Sequence, residues 1–70
     1  MATTTLNIQG MTCGGCVNSV TRVLTGIAGV SHAQVDLAGA KAVVEYDAAQ
    51  TSPAALAEAV DDAGFEAQVA

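Results

Sequence analysis

Cys13 and Cys16 are the only cysteines of the chain, with two glycines between them in the stretch Gly10-Met11-Thr12-Cys13-Gly14-Gly15-Cys16. Two thiols at that spacing open four chemistries: a disulfide, dithiol redox exchange, part of a zinc site, or a site for a softer metal. Gly14 and Gly15 let the backbone bend between the sulfurs without steric cost, so both can converge on one point. Which chemistry follows depends on the elements that carry the pair and on the other ligands available.

Residues 4–9 place Leu6 and Ile8 on one face and read as a strand. The cysteine stretch follows as a loop. From about Gly15 to Thr25 the apolar residues Val17, Val20, Leu24 and Ile27 mark one helix face, with Asn18, Ser19 and Arg22 toward water and Gly26 as the C-terminal cap. Cys16 then falls in the first turn, where free amides and the helix dipole favour a thiolate. Alternation at Ala33, Val35 and Leu37 predicts a second strand over 30–37. Ala38-Gly39-Ala40 is a turn, and Ala42, Val44 and Tyr46 define a third strand over 41–47. Ser52-Pro53 opens a second helix whose buried stripe is Leu56, Ala59, Val60 and Ala63. Gly64 ends it, and Phe65 to Val69 reads as a fourth strand. The order βαββαβ predicts a ferredoxin-like α+β sandwich, a four-stranded antiparallel sheet with both helices on one face.

Seventy residues make one domain, 1–70, with no spare chain for a deep catalytic cleft; an enzyme is not expected. The net charge is −5, and Arg22 and Lys41 are the only fixed cations, which argues against nucleic acid. An RNA-recognition domain of the same strand order needs exposed aromatics and positive charge, and the middle strand here reads Lys41-Ala42-Val43-Val44-Glu45-Tyr46. No apolar run approaches the roughly 20 residues of a membrane helix, and no basic start leads into an apolar segment. The expected compartment is therefore the cytoplasm, where thiols stay reduced and a disulfide is disfavoured.

Zinc in a closed site wants four ligands. His32, the single histidine, sits in the second strand, remote from the loop. A thioredoxin-like oxidoreductase sets its C-x-x-C in a longer fold, and Pro53, the only proline, starts the second helix instead of facing the motif. Cu(I) fits best. Thiolates select it by softness, it accepts two sulfurs in a near-linear arrangement, and an exposed two-coordinate ion can pass to a partner's thiolate by ligand exchange.

Gly10-Met11-Thr12-Cys13-Gly14-Gly15-Cys16 resembles the GMTCxxC signature of heavy-metal-associated domains. The likeness continues through Gly29-Val30, Val35-Asp36-Leu37, Lys41 to Asp47 and Ala63 to Ala67, nearly the whole chain. That family includes bacterial copper chaperones, N-terminal domains of copper-transporting P-type ATPases and a periplasmic mercury-binding protein. The resemblance implies Cu(I) held by Cys13 and Cys16, with Met11 turned into the core and Phe65 near the metal loop. Many eukaryotic chaperones carry lysine at the position of Phe65 and many bacterial ones tyrosine, while phenylalanine is common in the ATPase domains. A chain running from Met1 to Ala70 with no trailing linker leads to the expectation of a free-standing chaperone. Its partner would be the metal-binding domain of a copper-transporting P-type ATPase, and a metal-bridged homodimer is a further possibility. The alternatives are a regulatory domain of such an ATPase, a mercury-binding protein and, from another class, a thiol-disulfide oxidoreductase.

Overall fold

A computed structural model describes residues 1–11 and 14–70. The elements run β1 (Ala2–Gln9), α1 (Gly14–Thr25), β2 (Val30–Asp36), β3 (Lys41–Tyr46), α2 (Pro53–Asp62) and β4 (Glu66–Val69). The four strands form one antiparallel sheet in the order β2-β3-β1-β4, the ferredoxin-like arrangement expected from the sequence.

Alternation decides which face is covered. Leu6 and Ile8 of β1, Ala42, Val44 and Tyr46 of β3 and Ala67 of β4 are buried together with Val20 and Leu24 of α1 and Leu56, Ala57 and Val60 of α2. These residues make one apolar cluster between the sheet and the helix layer. The intervening strand residues, among them Thr3, Asn7, Gln9, Gln34 and Glu45, are exposed on the other face.

Several expectations are corrected. β1 begins at Ala2, because Ala2 and Thr3 pair with Tyr46 and Glu45; cross-strand pairing recruits a threonine run that has no apolar alternation of its own. In α2 the buried stripe contains Ala57, while Ala59 is half-buried and Ala63 is exposed, since Ala63 is the C-cap and has left the helix. Gly26, by contrast, directly follows α1 as expected and donates to the Arg22 carbonyl at 3.0 Å, while the first positive φ after this helix comes at Gly29 (98°). Leu37 belongs to the β2–β3 turn and is exposed, not a member of the core face.

That turn has an unexpected division of labour. Ala40, not Gly39, takes the positive φ of 52°. A β-carbon on Gly39 would lie 2.8 Å from Asp36 Oδ2, the far end of an exposed side chain that can swing aside, and the Gly39 amide donates to Asp36 Oδ1 at 3.2 Å. The Ala40 carbonyl accepts the Ile8 amide at 2.8 Å, tying the turn to the end of β1 that leads into the cysteine motif.

Candidate metal centre

β1 ends at Gln9, which pairs with Glu66 at the start of β4. Gly10 then turns with φ 96°, a left-handed conformation that suits glycine. Met11 is half-buried and packs against the core cluster, as expected of a residue anchoring the segment from below. Thr12 and Cys13 lie outside the described residues, so the expected loop position of Cys13 is not part of the described structure.

α1 begins at Gly14, and Cys16 is its third residue, half-buried in the first turn. No acidic side chain occupies that turn. The positive end of the helix dipole at this turn thus meets no carboxylate of the turn itself. Gly14 and Gly15 are exposed, and a β-carbon on Gly14 would meet nothing within 4 Å among the described residues.

The helix behind Cys16 is held by its apolar face. Val20 and Leu24 are fully buried, and Val17 and Ile27 are half-buried. Ser19 donates to the Gly15 carbonyl at 3.0 Å, Thr21 to Val17 at 2.8 Å and Thr25 to Thr21 at 2.7 Å. These residues are weak helix formers, and each turns its hydroxyl onto the carbonyl four residues back.

Phe65 closes the other side. It is half-buried between α2 and β4 and packs on the core. Its Cδ1 lies 3.8 Å from where a β-carbon of Gly10 would stand. The aromatic ring therefore borders the start of the cysteine motif.

His32 lies elsewhere. It pairs with Glu45, which in turn pairs with Thr3, whereas the motif follows Gln9. Six strand residues at about 3.3 Å each separate the two ends by roughly 20 Å. Among the described residues, no group of three or more His, Cys, Asp or Glu side chains is placed to hold a metal ion. The thiol described at this end of the sheet is Cys16, a soft donor that suits a soft ion.

Asp61 is a residue that the sequence did not single out. Its carboxylate accepts the Ala67 amide at 2.7 Å. In sequence it is one of several acidic residues on a solvated helix face, with no signal to separate it from Asp62.

The profile of the heavy-metal-associated domain matches residues 5–66. The chain is 41% identical over 69 residues to the copper-transporting ATPase ccc2 of Schizosaccharomyces pombe, covering 99% of this chain but 8% of the ATPase. It is 34% identical over 61 residues to the copper chaperone CopZ of Staphylococcus aureus, covering 87% of this chain and 90% of the chaperone. Among solved structures, the copper-binding domain of the P-type ATPase HMA7 superposes with a TM-score of 0.98 at 36% identity, covering 100% of this chain and 95% of that domain.

Proposed function

Because the chain belongs to the heavy-metal-associated domain family, we propose that it is a copper chaperone. It carries one Cu(I) between Cys13 and Cys16 and delivers it to the metal-binding domain of a copper-transporting P-type ATPase. The observation that carries this reading is Cys16, half-buried in a first turn of α1 that holds no carboxylate. Residues 1–70 act as one binding unit in the cytoplasm, without catalysing a reaction.

The chemistry follows from charge and softness. Two thiolates and one Cu(I) carry a net charge of −1, which the amides and dipole at the start of α1 stabilise. A two-coordinate ion at an exposed turn leaves room for a third sulfur. A partner's thiolate adds, giving a three-coordinate bridge, and one of the chain's own thiolates then leaves. The ion changes hands without entering water and without any redox step.

The chaperone reading draws on the near end-to-end match with CopZ. A second reading, a regulatory domain of a copper ATPase, draws on the match with ccc2 and the likeness to the HMA7 domain. Transfer separates them from a passive binder. The chain is loaded with one Cu(I), mixed anaerobically with an ATPase metal-binding domain, separated by ion exchange and assayed for copper. Copper shared between the two proteins, in the presence of a chelator too weak to strip either, is expected. Copper that stays on the loaded chain would contradict delivery.

A further inference from the structure

The segment joining α2 to β4 is fixed from both ends by one residue. Gly64, with φ 101°, donates to the Asp61 carbonyl at 3.0 Å, and Phe65 donates to the Val60 carbonyl at 3.4 Å. This is the glycine-terminated helix end in which crossed bonds fold the chain back over the last turn. It fixes the backbone as far as Phe65. Beyond that, β4 is a four-residue edge strand with β1 as its only sheet neighbour. The Asp61 carboxylate reaches across and accepts the Ala67 amide at 2.7 Å, in a partly buried position. A charged acceptor makes this stronger than a neutral bond. Asp61 thus grips Gly64 with its carbonyl and Ala67 with its carboxylate, and Phe65 lies between the two grips. Asp62 and Glu58, on the same helix, have no side-chain partner among the described residues.

We propose that Asp61 is a positioning residue for the metal-binding segment: by closing the 62–66 turn it keeps Phe65 seated on Gly10, where the chain enters the cysteine motif. Its consequence for copper rests on the carrier reading above; the seat itself does not. With the carboxylate removed, the turn opens, the ring withdraws from Gly10, and the entry to the motif loses its wall.

The test is amide exchange and proton–proton contact mapping on the reduced, metal-free chain, followed by the rate at which a chelator removes Cu(I). In Asp61→Ala, exchange at Ala67 is expected to rise by roughly tenfold, the scale of one lost hydrogen bond to a charged group, and the Phe65 ring should lose its proton contacts with Gly10. Cu(I) removal should quicken in parallel. Asp61→Asn keeps an oxygen acceptor and should restore most of both, and Asp62→Ala should match the parent. In a Phe65→Ala background, Asp61→Ala should no longer alter the rate of Cu(I) removal, because the link has been cut. Faster exchange at Ala67 with the ring contacts intact, or an unchanged rate of Cu(I) removal, would overturn the proposal. A parent chain that binds no Cu(I) would sink the carrier reading, while the contact measurements would still decide whether Asp61 seats Phe65.

Discussion

A β-carbon on Gly10 would stand 3.8 Å from Phe65 Cδ1, an ordinary contact distance, so the ring after α2 rests against the residue that opens the cysteine motif. The contact leaves room for one methyl group. The backbone does not, because φ at Gly10 is 96°. Gly10→Ala should therefore cost about 1–2 kcal/mol through backbone strain alone. In a domain of this size that lowers the melting temperature by about 4–8 °C per kcal/mol. Gly14→Ala should behave in the opposite sense: its φ is not positive and nothing stands within 4 Å, so a gain of up to about 0.5 kcal/mol is expected. Thermal melts of the two reduced, metal-free variants check the pair.

Gly29 and Gly64 share a left-handed backbone but not their surroundings. A β-carbon on Gly29 would fall 2.7 Å from Gln50 Cβ, the rooted end of a side chain that cannot swing away, whereas Gly64 has nothing within 4 Å. Both alanine variants carry the strain, and Gly29→Ala adds a clash worth about 1–3 kcal/mol. Urea titration should place Gly29→Ala well below Gly64→Ala. Equal midpoints would mean that the Gly29 and Gln50 backbones separate at little cost.

The two ends of α2 predict effects of opposite sign. Ser52 Oγ accepts the Ala55 amide at 3.2 Å as the N-cap, with Pro53 at the first helical position. Ser52→Ala should cost about 1 kcal/mol. Asp62, by contrast, places a negative charge at the negative end of the helix dipole, in a last turn that holds no basic residue. Asp62→Lys should stabilise by about 0.3–1 kcal/mol, less at high salt. Urea midpoints at unchanged slope measure both.

The strand and helix order was legible in the sequence because alternation and helical spacing mark the same residues that the core buries. Leu6, Ile8, Ala42, Val44 and Tyr46 are all in place. Legibility failed where tertiary pairing decides. Ala2 and Thr3 join β1 only because Tyr46 and Glu45 lie opposite. Ala40, rather than its glycine neighbour, takes the left-handed turn position, and its carbonyl accepts the Ile8 amide of a strand far off in sequence. At the candidate site, the helix-start position of Cys16 could be read from the periodicity of Val17, Val20 and Leu24, and Met11 could be read as core filler. The grip of Asp61 on Ala67 could not, since nothing in the sequence says that a carboxylate on a solvated helix face meets the amide of an edge strand six residues later.

The most direct test of the central claim is an anaerobic Cu(I) titration of the reduced chain against a coloured competing chelator, run beside Cys13→Ser and Cys16→Ser. The account predicts one tightly held Cu(I) per parent chain. It also predicts that each serine variant keeps its helix content but weakens binding by more than about a hundredfold, beyond what losing an outer-shell partner does. A Cys16→Ser chain that retains parental affinity would contradict the two-thiolate site.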